Sequence, residues 1–338
     1  MNPLIRSIAF FSIPLLFVYS CPNSQKVQIQ PHALTSTDSA RLFLKNDGPY
    51  IDFSQFDSVR LNISYADTNN LFQRLDIIYP WNGKAPYKFL MTFHGGGWGA
   101  GSKQGGKVLP MQYAATQGYA LVNVDYRLKG DVHWPACIHD AKTAVRFIRA
   151  NADRFHLDAS TIVVIGESAG GHIVEMLGAT NGNPAYEYLP MGNPQTSSDV
   201  QGVISWYGVS DITDFLSKKE AVNKLMGFNI QLQKNKNKAK KASPLHLVTK
   251  NYPPIILVHG TADSIVPYNQ SVDMMKKINQ LCGEGRATLK TYRGAGHANR
   301  FIRGRDNILD NLYFVDKIMY KDGKNPHRNN SKRVIRTL

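Results

Sequence analysis

Three cysteines in 338 residues are too few for a disulfide framework. A chain of this length buries enough apolar surface to fold without disulfides or a structural metal. Long apolar runs are missing as well. The stretch Ile8 to Tyr19 covers only twelve residues, too short to cross a bilayer as a helix. There is no P-loop and no G-x-G-x-x-G between a strand and a helix, so no cofactor of the nucleotide kind is expected. No internal repeat, helix-turn-helix or RNA-recognition pattern occurs. Acidic side chains are scarce, 25 Asp and Glu against 40 Lys and Arg, a formal charge of +15. Hydrophobic residues at 43% and charged residues at 19% exclude a disordered chain.

The positive excess is concentrated. Residues 217–242 carry eight lysines against Glu220, and residues 321–338 carry six Lys and Arg against Asp322. The remainder is close to neutral. Aromatic-poor runs such as Lys234–Lys241 read as solvated loops, with attraction to an anionic surface or polymer as the other reading. Nucleic acid is not expected as a partner.

At the N-terminus, Arg6 precedes the apolar stretch in the manner of a signal peptide. Val18 and Ser20 suit a peptidase site before Cys21, which makes residues 1–20 the leader. Val18-Tyr19-Ser20-Cys21 also resembles a bacterial lipoprotein box, in which the cysteine becomes the acylated first residue. Either reading predicts an exported chain: secreted, periplasmic or membrane-anchored. Membrane contact is expected only through a lipid anchor at Cys21. Residues 21–45, rich in Ser, Thr, Gln and Asn, read as a tether. Cys137 and Cys282 fall in helical patterns as small apolar residues.

From about residue 72, short apolar runs alternate with amphipathic helical patterns, the mark of a mostly parallel sheet covered on both faces, an α/β fold. Expected strands are Leu75–Tyr79, Phe89–Phe93, Ala120–Val124, Ile162–Ile165, Val203–Trp206, Ile255–Val258 and Thr288–Tyr292. Helices are expected over Cys137–Asn151, where Ile138, Ala141, Val145 and Ile148 share one face, and near His172–Leu177, Ser271–Leu281 and Asn307–Met319. The helical stretch Ile212–Lys224 and the lysines after it interrupt the alternation. Residues 46–320 thus read as one catalytic domain with an insertion at about 212–242 over the C-terminal edge of the sheet, followed by a basic tail, 321–338.

Gly166-Glu167-Ser168-Ala169-Gly170 fits G-x-S-x-G after a strand and before a helical pattern, which is the context of a nucleophile elbow. His94-Gly95-Gly96-Gly97-Trp98 follows another strand, and successive glycines let backbone N–H groups point into a cavity. The residue after the nucleophile, Ala169, supplies a second oxyanion donor. A serine hydroxyl needs a base, and the base an orienting carboxylate. His297, in Gly294-Ala295-Gly296-His297, follows a strand's C-terminal end, where catalytic loops gather in open α/β sheets. The other histidines after the serine are His172, in the helix that follows it, His246, His259, which ends a strand, and His327, in the tail. For the acid, Asp263 ranks first by chain order and strand position, and Asp211 second, with a helix cap as its other role. His133, Cys137, His139 and Asp140 match no zinc spacing; Asp140 is assigned to the first turn of the long helix.

These segments resemble α/β-hydrolases of the hormone-sensitive-lipase-like acetyl esterase group, close to bacterial feruloyl and acetylxylan esterases. The resemblance is carried by HGGGW (94–98), VDYRL (124–128), GESAGGH (166–172), SWYGVSD (205–211), PPIILVHGTADSIVPYNQS (253–271) and GAGH (294–297), in family order across residues 72–320. It implies Ser168 as nucleophile, Asp263 as acid, His297 as base, and Gly95, Gly96 and Ala169 as the oxyanion hole. It also implies an ester substrate with short acyl or feruloyl groups on a carbohydrate such as a polysaccharide. The chain departs from the family at Lys129-Gly130-Asp131-Val132-His133, where a proline-bearing stretch is usual, and in the length and basicity of the insertion. Two other readings stay open at this stage: a small-metabolite amidase similar to kynurenine formamidases, and a non-catalytic scaffold that binds carbohydrate or a partner.

Overall fold

The computed structural model describes residues 50–130, 132–215 and 218–328. The expected leader, the tether and residues 329–338 of the tail lie outside them. Strands β1 (Val59–Ser64), β2 (Arg74–Ile78), β3 (Phe89–Phe93), β4 (Ala120–Val124), β5 (Val163–Glu167), β6 (Gly202–Trp206), β7 (Ile255–Gly260) and β8 (Ala287–Tyr292) form one sheet in the order β1-β2-β4-β3-β5-β6-β7-β8. β2 runs antiparallel to both β1 and β4, and every other pairing is parallel. Strands β3 to β7 are buried residue by residue, as sheets covered on both faces require. The helices are α1 (Ala136–Ala150), α2 (Ala169–Ala179), α3 (Lys219–Met226), α4 (Lys236–Lys240), α5 (Asn269–Cys282) and α6 (Arg305–Met319).

Because successive side chains on a strand point to opposite faces, the sheet separates two cores. Phe89, Met91 and Phe93 of β3 pack with Ile138, Ala141 and Val145 of α1 and Ile173 of α2. Leu90 of β3, with Val163 and Ile165 of β5, faces Leu109 and Met111 and the Ile308, Leu312 and Val315 stripe of α6. Each fully buried Leu, Ile or Val contributes roughly 1.5–3 kcal/mol by leaving water. β3 lies between β4 and β5, so the chain leaves β3 to one side and returns on the other. That is the switch point of the sheet, where the C-terminal ends of neighbouring strands open a crevice.

Several local features differ from the expectations. β1 precedes the expected start of the alternation, and its half-exposed, exposed pattern carries no apolar run to reveal it. A one-turn-after-another 3-10 segment, Leu109–Gln117, bridges β3 and β4 and is buried throughout. Residues 212–215 are not helical, since Asp211 Oδ1 accepts from Thr213 N at 2.8 Å and its hydroxyl at 2.6 Å in a local turn; the helix starts only at Lys219. Asp140 does not serve its helix end. It accepts from Arg127 N at 2.8 Å and from the Arg127 guanidinium and Gln73, which ties α1 to the loop after β4. Lys236, Lys238 and Lys240 are exposed while Ala239 is buried, so α4 rests on one small residue. Residues 321–328 pack on the sheet domain: Asn325 donates to Gln117 O at 2.9 Å, and Arg328 pairs with Asp316 at 2.7 Å.

Candidate active site

Ser168 sits between β5 and α2 with φ 54° and ψ −116°, a strained conformation for a residue with a Cβ. The turn is possible only because its flanks lack side chains. A Cβ on Gly166 would lie 2.3 Å from Gly170 O, and one on Gly170 would lie 2.1 Å from Phe93 O. The second contact shows why α2 can start directly against the end of β3. Ser168 N donates to Trp206 O at 2.9 Å, which fixes the turn to β6.

His297, on the loop after β8, faces the serine: its Nε2 is 3.1 Å from Ser168 Oγ, and its Nδ1 is 2.7 Å from Asp263 Oδ2. Asp263, after β7, is buried, and its Oδ1 accepts from the N–H groups of Ile265 and Val266 at 2.9 Å each. Burial alone would raise its pKa. Hydrogen bonds from His259 and His297, the charge of His297 and the Val266 N–H outweigh that and hold the carboxyl well below the usual carboxylate range. The fold therefore brings Ser168, His297 and Asp263 into one hydrogen-bonded line. Asp211 is elsewhere engaged: its Oδ2 lies 3.1 Å from His246 Nε2. His259 is buried, with Nε2 on Val266 O at 3.0 Å and Nδ1 on Ser271 Oγ at 2.7 Å, so it braces the Asp263 loop.

A cavity of about 360 Å³ opens beside Ser168. Gly96, Gly97, Ala169 and His297 border it, and Trp98, Val209, Phe215, Ile265 and Val266 give it an apolar wall. Gly96 has φ +123°, and a Cβ there would lie 2.0 Å from Ala100 O. Gly95 lies against Glu167, where an added Cβ would be 3.0 Å from the Glu167 carbonyl oxygen. His94 is buried, stacked on Tyr126 at 4.4 Å, and its Nδ1 bonds Gly95 O at 2.8 Å.

Several residues around the site escaped the sequence reading. The Tyr207 ring packs on His297 at 4.6 Å, and its hydroxyl donates to Glu167 Oε2 at 2.6 Å. Burial raises the Glu167 pKa, against the pull of Arg303, whose Nε is 3.4 Å away, and of the Tyr207 hydroxyl. Trp98 donates its indole N–H to His172 Nδ1 at 3.1 Å, and His172 Nε2 bonds Ala242 O at 2.9 Å. That pair joins the glycine turn to α2 and to the end of the insertion. With Nδ1 accepting, Nε2 must carry the proton, and burial pushes the His172 pKa down to about 4. The only sequence signal for these contacts was the polar residue within otherwise apolar motifs.

An open sheet of this strand order, with a serine on a strained turn after its central strand, is the α/β-hydrolase architecture. The chain belongs to the BD-FAE family, which it matches over residues 75–278. It is 33% identical over 226 residues to the esterase LipC of Mycobacterium tuberculosis, covering 65% of this chain and 55% of LipC. The chain spans about half the length of the curated relatives it matches. Among solved structures, a truncated form of a carbohydrate esterase from gut microbiota superposes with a TM-score of 0.71 at 27% identity, over 80% of this chain and 98% of that one. The propionate-bound esterase Est2 of Thermogutta terrifontis gives a TM-score of 0.58 at 27% identity, over 77% and 92% of the two chains.

Proposed function

We propose that this protein is a serine carboxylic ester hydrolase that removes short acyl groups from a carbohydrate alcohol. The reading is carried by the line from Ser168 Oγ to His297 Nε2 at 3.1 Å and from His297 Nδ1 to Asp263 Oδ2 at 2.7 Å. Ser168 Oγ attacks the ester carbonyl as its proton passes to His297 Nε2, and Asp263 holds the imidazole tautomer and offsets the imidazolium charge. The amides of the Gly95–Gly96 turn and of Ala169 receive the oxyanion; removing one such donor typically costs about 3–4 kcal/mol of transition-state stabilisation. His297 then gives the proton to the leaving alcohol. In the second half, water loses a proton to His297, attacks the acyl-serine, and the carboxylic acid leaves as Ser168 recovers its proton.

The apolar wall of Trp98, Val209, Phe215, Ile265 and Val266 supports an acyl group as the buried half of the substrate. The carbohydrate esterase and the propionate-bound esterase among the similar structures favour a short acyl chain on a sugar, with feruloyl as the aromatic variant. An exported chain, cleaved before Cys21 and either released or acylated at that cysteine, belongs to the same proposal, and the mass of the mature N-terminus separates the two forms.

Ser168→Ala is expected to abolish hydrolysis of a short-chain nitrophenyl ester and labelling by a fluorophosphonate, with the fold retained by circular dichroism. Retained turnover would sink the assignment. A panel of acetylated xylan, methyl ferulate, long-chain triglyceride and N-formylkynurenine should favour the first two. Preference for the triglyceride or the formamide would replace the carbohydrate reading.

A further inference from the structure

We propose that Tyr207 is a positioning residue for the base: its ring sets the His297 imidazole, and its hydroxyl ties that setting to Glu167, the residue before the nucleophile. The proposal rests on the ester-hydrolase reading above and adds a residue to it. His297 needs such support. It stands on the loop after the edge strand β8, between Gly294 at φ +71° and Ala298 at φ 54°, and its side chain is 18% exposed. Asp263 fixes the imidazole at Nδ1, and a ring pinned at that one nitrogen is free to swing Nε2 off the serine. A general base works within about 2.6–3.2 Å of its proton donor. The 3.1 Å from Nε2 to Ser168 Oγ lies near the far end of that range, so a small drift disables it.

Tyr207 supplies the missing wall. It follows β6 and is fully buried, and its ring lies 4.6 Å from the imidazole at an angle of 60°. The same ring meets His259, which braces the Asp263 loop, nearly edge-on at 6.4 Å. Its N–H donates to Val258 O at 2.8 Å, which seats the backbone on β7. That backbone has φ +41°, a left-handed conformation that is costly for an aromatic residue and persists only where its surroundings enforce it. At the far end of the ring, the hydroxyl donates to Glu167 Oε2, which also faces Arg303 Nε at 3.4 Å. Arg303 in turn donates to the Gly106 carbonyl. Burial disfavours the Glu167 charge, whereas Arg303, the Tyr207 hydroxyl, His297 and Lys107 favour it. Its other oxygen lies beside the oxyanion turn, 3.2 Å from where a Cβ on Gly95 would sit. Glu167 thus meets the serine through the chain, the glycine turn by packing and the base through Tyr207. The hydrolysis consumes nothing from this buried acid. What it secures is the spacing between nucleophile and base.

Three variants test the brace. Tyr207→Phe keeps the ring and cuts the tie, Tyr207→Leu removes the wall, and Glu167→Met removes the acceptor at similar size. Stopped-flow hydrolysis of para-nitrophenyl acetate reads acylation and deacylation separately, per active site titrated with a fluorophosphonate. His297 is the base in both steps, so both rates should fall by the same factor while KM stays within about twofold. The expected loss is about tenfold in Tyr207→Phe, the scale of one hydrogen bond to a charged group. It is about 100-fold in Tyr207→Leu, the scale of a displaced base, so Phe recovers most of what Leu loses. Glu167→Met should match Tyr207→Phe, and the double variant should be no slower than the slower single one, because both changes cut one bond. Tyr207→Leu with both rates near wild type, or losses that multiply in the double variant, overturns the proposal. If Tyr207→Leu does not fold, the Phe and Met cycle decides alone. Wild-type protein that neither hydrolyses the ester nor takes the label removes the hydrolase reading and this role with it. Active wild type with unchanged or multiplying variants removes the positioning role only.

Discussion

Asp263 and Asp211 both follow a strand and both reach a histidine, and only their partners separate them. Asp263 meets His297, which also touches Ser168 Oγ, whereas Asp211 meets His246 and holds the turn at Thr213. Asp263→Asn keeps an acceptor for the Ile265 and Val266 amides but leaves His297 free to adopt the other tautomer. Turnover of a short-chain ester is expected to fall on the order of 10³–10⁴-fold at unchanged fold. Asp211→Asn should leave kcat within about threefold and cost about 1 kcal/mol of stability, the scale of one weakened turn contact. Side-by-side kinetics and urea melts decide it; the opposite ranking at equal folding would transfer the acid role to Asp211.

The passage from β5 through Ser168 into α2 is one mechanical unit, because the helix begins in contact with the end of β3. Gly170→Ala places a methyl 2.1 Å from Phe93 O, a backbone atom that can yield only if α2 and β3 separate. The expected cost is about 3 kcal/mol or more, with loss of activity from the displaced serine. Gly182→Ala is the comparison, since it has φ +65° and nothing within 4 Å of the added carbon. It should cost only about 1–2 kcal/mol for the left-handed backbone. Urea midpoints measure both, and equal losses would mean that α2 has room to move away from β3.

Across the whole molecule, two buried groups on α2 set opposing pH dependences. Glu175 accepts from Ser205 Oγ at 2.6 Å and Ser210 Oγ at 2.7 Å, yet burial raises its pKa from 4.5 to about 7. Between those values the folded protein holds more protons than the unfolded chain, so this group lowers stability as pH rises. His172 is shifted the other way, from 6.5 to about 4, so its contribution is lost as pH falls through that range. Each shift is worth roughly 3 kcal/mol, and where the windows overlap the slopes oppose. Glu175→Gln keeps one acceptor and adds a donor for the second serine. Its stability gain over wild type should grow from near zero at about pH 4 to roughly 3 kcal/mol at about pH 8. A gain that does not change with pH in urea melts would show that Glu175 ionises normally.

Period and punctuation along the chain determined the α/β class, seven of the strands and the four main helices, because a buried parallel strand is a short apolar run and α1 repeats its apolar residues every three or four positions. They also singled out the glycines around Ser168, since a strained turn against a neighbouring strand tolerates no side chain. Edge strand β1 and the buried 3-10 segment Leu109–Gln117 have no such signature: one is half exposed, the other lacks a helical period. Chain order put Asp263 ahead of Asp211, but that Asp263 is the one that meets His297, and that Tyr207, Glu167, Trp98 and His172 surround the site, was decided only by tertiary packing. Those contacts join residues far apart in the chain, and a hydrogen bond between them depends on separations of about 3 Å that no local pattern encodes.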